Sequence, residues 1–483
     1  MTSTLPPPFA GLEPETVWKH FFALTQIPRG SGNEAGARAF VEKWAREHKF
    51  EVDTDEVGNV LVRVNASAPG TMVCLQGHLD MVCVADEGVD FDFEKQAIQV
   101  RRDGDNLFGT GTTLGADNGI GVAYGMALAE QTQGPLEVLC TIDEEVGLKG
   151  AGGLKQGWLR SRVLLNLDSE EEGFVTIACS GGRDLLIDLP WKQGGNVDGR
   201  TAYDLKVAGL QGGHSGIDIG LGRINAIQVL ARMLDQVLAL GGALVEVKGG
   251  VKRNAIPPMA SARVVLPEAK LPNLQAFADR LCAELRCAAD PDLKVTTQPS
   301  TVKDPSIVDD ACARQLVHLL GGLPHGVQKH SPKDATLPFV SINLALVEDP
   351  AGGKIPIVMS ARSPAETEID MLVARVKAVC DEHGAALNAE NGYPGWEPDY
   401  DSKLLATTKK LHTEVIGQEP KVLEIHAGLE CGIIGARYPG MDMISIGPDI
   451  HFPHSPREHV SIPSVGRMYA FVQKLVAEIQ KNG

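Results

Sequence analysis

The sequence predicts an α/β protein whose first domain, with a mixed, mainly parallel sheet, is interrupted by an inserted α+β domain made of two similar units. Three observations support this prediction. Up to about residue 183, short β-branched apolar runs alternate with helical patterns. Longer alternating strands and amphipathic helices follow, and their order is then repeated. The first pattern returns after the turn-rich segment 391–398.

The first segment begins with two helices and continues with strands. Val17, Phe21 and Leu24 follow the helical period, and a second amphipathic helix runs to about His48. Strands are predicted at 60–64, 72–75, 136–142 and 163–167, with a helix at 120–130. Because these runs are mainly apolar, they are typical of buried central strands in an α/β sheet.

The remaining elements define the predicted domains. The inserted segment has helices at 226–240, 274–285, 311–320 and 366–382 and strands near 339–347, 355–360 and 386–390. The last segment has a helix at 403–416, strands at 422–425 and 443–446, and a final helix after Pro463. We therefore predict one domain formed by 1–183 and 398–483, interrupted by 184–397, which we interpret as an internal duplication.

The composition excludes several classes of partner. The 483 residues contain 45 Lys and Arg against 62 Asp and Glu, which gives a net charge of −17 with no basic block. Such a chain repels nucleic acid and anionic membranes on average. The sequence has no uncharged apolar run of about 18 residues that could span a bilayer, and its beginning lacks the features of a secretory signal. We expect a cytoplasmic protein with no nucleic-acid and no membrane partner.

Potential metal ligands follow three of the predicted strands. His78 and Asp80 come after the second strand and share one face of an extended segment, because alternate residues point the same way. Glu144 and Glu145 follow the third strand and Asp168 the fourth. The ends of parallel strands line the ligand crevice of an open α/β sheet. Carboxylates crowded there need protons, solvent or cations, and metal binding explains Glu144, Glu145 and Asp168 best.

Further candidates come from a glycine-rich and a histidine-rich segment. Asp117 lies among the glycines of 109–121, whose spacing does not fit a dinucleotide-binding loop, and an N-cap is its alternative role. His451, His454 and His459 lie in the loop after the last predicted strand. A mixture of imidazole and carboxylate suits zinc, manganese or cobalt rather than calcium. The acids at 170–172 are interpreted as a solvated acidic rim.

Four motifs together resemble the series found in the di-zinc aminoacylase and glutamate-carboxypeptidase family of metallopeptidases. In order, they are Gln-Gly-His78-Leu-Asp80-Met, Gly-Thr-Thr-Leu-Gly-Ala-Asp117-Asn-Gly-Ile-Gly, Asp-Glu144-Glu145-Val-Gly and Phe-Pro-His454-Ser-Pro. The resemblance covers essentially the whole chain. It implies the following roles: His78 and Asp168 on one metal, Glu145 and His454 on the other, Asp117 bridging both, Asp80 orienting His78, and Glu144 as general base.

The resemblance also implies an activity and a substrate site. The activity is hydrolysis of the peptide bond of unblocked dipeptides, Xaa-His among them, by a metal-bridged water, with the inserted domain acting as a lid. The implied cofactors are two divalent ions, zinc or else cobalt or manganese. His214, in Gly212-Gly-His214-Ser-Gly, matches the family's histidine that reaches over the substrate and would stabilise the oxyanion. Asn254 and Arg362 are carried over on shorter motifs as substrate-anchoring positions, with Arg362 for the free carboxylate. His426 and Glu430, in His426-Ala-Gly-Leu-Glu430-Cys-Gly, are the remaining substrate-binding candidates.

Other functions stay open at this stage. Within the family, the alternatives are a tripeptide aminopeptidase and an N-acyl amino-acid deacylase. Two-metal phosphoryl transfer would need a Lys or Arg clamp, and the segments 76–83, 109–125, 141–147 and 166–172 contain neither residue. A non-catalytic binding paralogue would not need both Asp80 and Glu144. The preferred dipeptide and the oligomeric state, monomer or homodimer, are also open.

Overall fold

The computed structural model describes residues 5–195, 197, 199–302 and 305–481, with the exception of the side chain of Asn391. Within these residues there are eleven α-helices: α1 Glu15–Thr25, α2 Ala35–Glu47, α3 Ala116–Ala129, α4 Lys149–Gly153, α5 Ala226–Ala239, α6 Leu271–Leu285, α7 Asp310–Gly322, α8 Glu366–Glu382, α9 Lys403–Ile416, α10 Glu430–Arg437 and α11 Ile462–Lys481. None of these helices is both long and apolar enough to cross a membrane.

The strands differ widely in length. Those in the first part of the described chain are β1 Glu51–Thr54, β2 Val60–Val64, β3 Val73–His78, β4 Val100–Asp103, β5 Asn106–Gly109, β6 Leu136–Thr141, β7 Val163–Asn166 and β8 Phe174–Cys179. The middle part has β9 Gly181–Pro190, β10 Thr201–Ala208, β11 Gly213–His214, β12 Ala243–Gly249, β13 Ala255–Ile256, β14 Ala260–Leu266, β15 Lys294–Pro299, β16 Gly326–His330, β17 Pro338–Val347, β18 Lys354–Ser363 and β19 Ala386–Tyr393. The last part has β20 Lys421–Ile425, β21 Asp442–Ser445, β22 Ile450–His451 and β23 His459–Ser461.

The chain divides into two compact units, and the first consists of Met1–Ala178, Trp396–Glu424 and Leu429–Gly483. Its large sheet has the strand order β1-β2-β6-β3-β7-β21-β8-β20. The central strands β6, β3, β7 and β21 are parallel. The pairs β1–β2, β2–β6 and β21–β8 are antiparallel. The sheet is therefore mixed, as predicted.

The expectation that this sheet is mainly parallel is correct only for its four central strands. A turn of a few residues joins β1 to β2, and a parallel pair would need a crossover connection of a dozen or more residues. The sequence pattern identifies an apolar strand but does not give its direction in the sheet. The antiparallel pairing of the outer strands was therefore not predicted.

Two sheets of the first unit determine where the predicted ligands lie. The parallel strands β3, β6 and β7 end at His78, Thr141 and Asn166, so the loops that follow them leave one edge of the large sheet. A small sheet of order β22-β23-β5-β4 joins the strand that precedes the glycine-rich segment to the two strands that flank the histidine loop. The hydrophobic core includes the fully buried side chains of Trp18, Phe21, Tyr124 and Phe471.

The second unit consists of Cys179–Gly395 and Ile425–Gly428. Its large sheet has the order β15-β10-β14-β12-β17-β18-β9-β19, with β16 paired to β17. Apart from β11, β13 and β16, two sets of elements follow the same β-α-β-β-α-β order: β10-α5-β12-β14-α6-β15 and β9-α7-β17-β18-α8-β19. If the four strands of each set are numbered along the chain, their order across the sheet is fourth, first, third, second in both sets. The first set lies in sequence between β9 and α7 of the second.

Residues 425–428 belong to the second unit, whereas the predicted boundaries place them in the interrupted domain. They pack with the second unit because the N–H of Ser180 donates to the carbonyls of Ile425 and Ala427, each at 3.0 Å. His426 extends this attachment, since its Nδ1 lies 2.9 Å from Oγ of Ser180.

Candidate metal centre

Two histidines and a carboxylate form the centre of a cluster at the edge of the first unit's sheet. Nε2 of His78 lies 3.1 Å from Oδ1 of Asp117 and 3.2 Å from Oδ1 of Asp168. Nε2 of His454 lies 3.1 Å from Oδ2 of Asp117 and 3.0 Å from Oε1 of Glu145. The carboxylate of Asp117 is therefore placed between the two imidazoles.

The cluster has the donor atoms of a two-metal site. His78, Asp117 and Asp168 form one group whose potential ligand atoms all lie within 4.8 Å of one another, and Asp117, Glu145 and His454 form a second. His78, Glu144 and Glu145 form a third such group, which does not include Asp117. Oδ1 of Asp168 and Oε1 of Glu145 are buried without a hydrogen-bond partner in the described structure, because each imidazole makes its hydrogen bond to Asp117 instead. Divalent cations would satisfy these oxygens, so these residues fit two such ions.

The pKa values show how strongly the carboxylates act on the histidines. Burial would lower the pKa of His78, but Asp168, Asp117 and Asp80 outweigh it and raise the pKa well above its usual value. The close contacts of its Nε2 with Asp117 and Glu145, at 3.1 and 3.0 Å, raise the pKa of His454 to about 11. Without a cation, the imidazoles therefore hold protons that neutralise the cluster in part, and a divalent ion would displace these protons.

Asp80 is completely buried and contacts both sides of the cluster. Its Oδ1 lies 3.3 Å from Nδ1 of His78. It also accepts hydrogen bonds from the hydroxyl of Ser31 at 2.8 Å and from the N–H groups of Glu144 and Glu145 at 3.0 and 3.2 Å. Burial would raise the pKa of Asp80, but these interactions, that with His78 foremost, hold it at about 2.

Glu144 is half-buried next to the cluster. Burial, together with the carboxylates of Asp168, Glu430 and Glu145, outweighs the effect of His78 and raises the pKa of Glu144 to about 9. An acid in this position can exchange a proton near neutral pH once cations offset the surrounding negative charge.

Two buried charged residues without a predicted role, Glu458 and Arg29, contact the backbone of the cluster. Glu458 accepts hydrogen bonds from the N–H groups of Leu114, Gly115, Ala116 and Asp117. Arg29 donates to the carbonyls of Leu79 at 3.0 Å, Asp80 at 3.1 Å and Gly115. The position of Glu458 in the histidine loop was visible in the sequence, but nothing in the pattern distinguished it from an exposed acid.

The structure contradicts the assignment of Glu430 to the substrate site. This side chain has no solvent exposure. It accepts hydrogen bonds from Nε2 of Gln76 at 2.5 Å and from Oγ1 of Thr141 at 2.7 Å. Burial raises its pKa to about 7. Because Gln76 and Thr141 lie at the ends of β3 and β6, Glu430 supports the strands beneath the cluster and cannot reach a substrate.

The interpretation of residues 170–172 as a solvated rim is also wrong, except for Glu171, which is exposed. Glu172 is paired with Arg467, whose Nε and Nη2 donate to its two oxygens at 2.7 and 2.6 Å. Burial, reinforced by Asp117 and Asp168, raises the pKa of Glu170 to about 8. Glu170 therefore lies close to the cluster, and Glu172 is held in an ion pair.

Three of the predicted substrate-binding residues meet in the second unit. Nδ1 of His214 accepts hydrogen bonds from the N–H groups of Gly216 and Ile217, both at 3.2 Å. Burial and the charge of Arg362 lower the pKa of His214, and they lower that of His426 to about 3. Both imidazoles are therefore neutral beside the guanidinium at pH 7.

Arg362 and His426 are held by further polar side chains of this unit. Nη1 of Arg362 donates to the hydroxyl of Tyr393 at 3.0 Å, while its Nε is buried without a hydrogen-bond partner in the described structure. Nε2 of His426 lies 2.7 Å from Oγ of Ser341. Asn254, the remaining predicted residue, is exposed.

Comparisons with known proteins agree with the motif resemblance. The family described as peptidase family M20/M25/M40 matches residues 74–478. The cytosol non-specific dipeptidase of Escherichia coli (strain K12) is 36% identical over 477 residues, which are 97% of this chain and 98% of that protein. The crystal structure of aminoacylhistidine dipeptidase from Vibrio alginolyticus has a TM-score of 0.89 at 35% identity and covers 97% of this chain and 98% of its own.

More distant structures share the fold. The aminopeptidase PepT from Bacillus cereus ATCC 10987 has a TM-score of 0.57 at 15% identity, over 97% of this chain and 99% of its own. At this identity the likeness concerns the fold alone. The predicted α/β fold class is confirmed.

Proposed function

The chain belongs to peptidase family M20/M25/M40, and from that premise we propose that it is a metal-dependent dipeptidase acting on unblocked dipeptides, Xaa-His among them. The observation that carries the proposal is the carboxylate of Asp117 between His78 and His454, with Asp168 and Glu145 beside them. The 36% identity to a cytosol non-specific dipeptidase supports both the reaction and a cytosolic location.

We assign His78 and Asp168 to one divalent ion and Glu145 and His454 to the other, with Asp117 shared between them. Zinc suits the mixed nitrogen and oxygen donors best, and cobalt or manganese would also be accepted. Two such ions, when bound, acidify a water molecule and polarise the carbonyl of the scissile peptide bond.

Glu144 is our candidate for the general base. It would accept the proton of the attacking water and then donate it to the nitrogen of the leaving amino acid. Its backbone is held by the buried carboxylate of Asp80, which also contacts His78. Asp80 would thus orient both the ligand His78 and the base Glu144. This arrangement suits a reaction whose rate depends on the distance between the metal-bound water and the base.

The second unit supplies the candidates for substrate recognition. Arg362 has an unpaired buried Nε and a guanidinium fork suited to a carboxylate, so we assign it to the free C-terminus of the substrate. Nε2 of His214 would donate to the developing oxyanion, since Nδ1 already accepts two backbone N–H groups. Asn254 and His426 remain candidates for substrate binding next to these two residues.

Two-metal phosphoryl transfer receives no support from the residues around the cluster. The buried cation beside it, Arg29, directs both of its terminal nitrogens to backbone carbonyls and cannot also clamp a phosphate. The tripeptide aminopeptidase and N-acyl amino-acid deacylase alternatives differ from a dipeptidase in the length and blocking of their substrates.

The test is a substrate panel with metal-reconstituted protein. We expect kcat/KM for Xaa-His and Xaa-Gly dipeptides to exceed that for a tripeptide and for an N-acetyl amino acid by at least about tenfold. The carboxylate of the tripeptide lies one residue further from the scissile bond and the N-acetyl compound lacks the free amino group, so each loses one charge-assisted contact. Preference for the tripeptide or the N-acetyl compound would replace the dipeptidase with the corresponding alternative.

A further inference from the structure

We propose that Glu458 is a positioning residue of the metal centre, which holds the turn carrying Asp117 in register with the loop carrying His454. The proposal rests on the proposed function in one respect, the assignment of Asp117 and His454 as metal ligands. It adds a residue that makes no contact with metal or substrate and acts through the backbone.

The carboxylate of Glu458 is bonded to four consecutive N–H groups. Oε2 accepts from Leu114 at 2.7 Å and Gly115 at 3.0 Å. Oε1 accepts from Ala116 at 2.7 Å and Asp117 at 3.3 Å. The side chain is only 2% exposed, so these charge-assisted bonds form in a place where water does not compete for the N–H groups.

The backbone of this turn cannot satisfy its own N–H groups. Gly115 is left-handed, with a φ of 73°, and Asp117 has a ψ of 111°, far from the helical value. These N–H groups therefore precede the regular hydrogen bonds of α3, as at any helix N-terminus. Residues 114–117 are all buried, and buried N–H groups without partners are costly. The conformation that presents Asp117 thus depends on an acceptor from elsewhere in the chain.

That acceptor comes from the loop of the second histidine ligand. Glu458 lies four residues after His454, and β23, which begins at the next residue, pairs with β5 at Phe108. The small sheet therefore aligns the two segments, and Glu458 joins them on the side of the ligands. A shift of the carboxylate would change the separation of Nε2 of His454 from Oδ2 of Asp117, which is now 3.1 Å.

Arg29 completes the arrangement from the carbonyl side of the turn. Its guanidinium donates to the carbonyl of Gly115 and also to those of Leu79 and Asp80. It thereby links the Asp117 turn to the end of β3, where His78 lies. The guanidinium and the carboxylate of Glu458 also attract each other, so neither buried charge is left without compensation.

The first unit contains a matched control for a structural role. Glu137 is also completely buried and accepts hydrogen bonds from backbone N–H groups, those of Arg160 at 3.1 Å and Ser161 at 3.0 Å. It lies near the beginning of β6, at the opposite end from Glu144. Replacement of either glutamate by glutamine puts an NH2 group in the place of an oxygen that accepted backbone N–H groups. In Glu458→Gln these N–H groups belong to the turn that carries Asp117, and in Glu137→Gln they do not.

The experiment measures dissociation constants for zinc by chelator competition in the parent, Glu458→Gln and Glu137→Gln proteins. Removal of a hydrogen-bond partner that holds a metal ligand in place lowers metal affinity by about 10- to 100-fold. We expect a loss of this size for at least one of the two ions in Glu458→Gln, and an affinity close to that of the parent in Glu137→Gln. Unchanged affinity in Glu458→Gln, or equal losses in both variants, would overturn the proposal.

Amide hydrogen exchange of the metal-free parent protein provides a measurement that needs no variant to fold. We expect the amides of 115–117 to be protected although no metal is bound, because Glu458 holds them. Exchange at the rate of an unstructured peptide would overturn the role of Glu458 even if the parent binds zinc. Failure of the parent to bind metal, with these amides protected, would instead overturn the proposed function.

Discussion

Asp117, Glu144 and Glu145 have different surroundings within one cluster of acids and histidines. The oxygens of Asp117 face different histidines. Glu145 contacts His454 through Oε1 at 3.0 Å, whereas Glu144 is a half-buried acid with a raised pKa. The motif resemblance predicts a ligand role for Glu145 and the role of general base for Glu144. The spacing of the two glutamates by itself does not distinguish these roles, because consecutive residues in a loop have no fixed relation to a site.

The role of Glu144 predicts the behaviour of Glu144→Gln. The amide has nearly the shape of the carboxylate but cannot accept a proton, so we expect kcat to fall by roughly a thousandfold or more. Metal content, measured by elemental analysis, should be unchanged. Glu171→Gln, at an exposed acid, is the control and should keep its activity. Loss of metal from Glu144→Gln would show that Glu144 is a ligand.

The pKa values of the histidines predict how metal affinity depends on pH. The pKa of His78 is raised well above its usual value and that of His454 to about 11, so both are protonated in the metal-free protein at neutral pH. Each must lose its proton to bind a cation. Affinity should therefore rise with pH, about tenfold per pH unit for each proton released.

Proton release can be measured directly by calorimetry of zinc binding in buffers that differ in ionisation enthalpy. We expect the observed heat to vary with the buffer in proportion to the protons released. Equal heats in all buffers, with an affinity independent of pH, would mean that the imidazoles are not ligands.

Arg362 predicts the dependence on a free C-terminus. A hydrogen bond to a charged group contributes about 1.5–3 kcal/mol, so Arg362→Ala should lower kcat/KM for a dipeptide by about 10- to 100-fold and leave its C-terminal amide unaffected. Arg253→Ala is the control, because Arg253 is exposed and pairs with Asp184 in the same unit. If the parent protein cleaves a dipeptide and its C-terminal amide equally well, Arg362 does not bind the free carboxylate of the substrate.

Among the elements, those with a clear apolar period were predicted to within a few residues. Examples are β2, α8 and α9, whose observed bounds are those expected from the sequence. The last of these has a side-chain cap from Ser402 to the N–H of Leu405 at 3.0 Å and ends before Gly417, which is left-handed. Local chemistry determines such elements, so a local pattern reveals them.

Some of the missed elements are too short or too polar to show an apolar pattern. Strand β4 reads Val-Arg-Arg-Asp and is largely exposed, and β22 has only two residues. These strands form the small sheet that brings the glycine-rich segment to the histidine loop. The sequence could therefore predict the ligands but not the contacts that assemble them. The burial of Glu430 and Glu458 was missed for the same reason, since their partners lie hundreds of residues away in the chain.

The close packing of α3 on the sheet predicts the effect of Gly121→Ala. A Cβ at Gly121 would lie 2.5 Å from the backbone carbonyl oxygen of Leu167, which precedes the ligand Asp168. Relief of this overlap requires the helix or the end of β7 to move, so we expect a loss of about 1–3 kcal/mol in the free energy of unfolding. Urea unfolding measures it.

Gly152→Ala in α4 is the matched substitution, because a Cβ at Gly152 would have no neighbour within 4 Å. It should leave stability unchanged or raise it slightly, as alanine favours a helix. Equal stability of the two variants would contradict the close approach of α3 to the strand ends.

Over the whole molecule, the predicted functions are distributed between the two units. Each unit has its own hydrophobic core. The five candidate metal ligands and Glu144 belong to the first unit, and His214, His426 and Arg362 belong to the second. The segment 425–428 returns to the second unit and carries His426 with it. The residues proposed for catalysis therefore belong to the first unit, and those proposed for substrate recognition belong to the second.

The most direct test follows the rate of cleavage of an unblocked Xaa-His dipeptide as zinc, cobalt or manganese is added to protein verified to be metal-free. We expect no hydrolysis without metal and a rise that reaches its plateau at two equivalents, because the two ions are assigned to the two ligand groups that share Asp117. Full activity in the metal-free protein would contradict a metal-dependent dipeptidase.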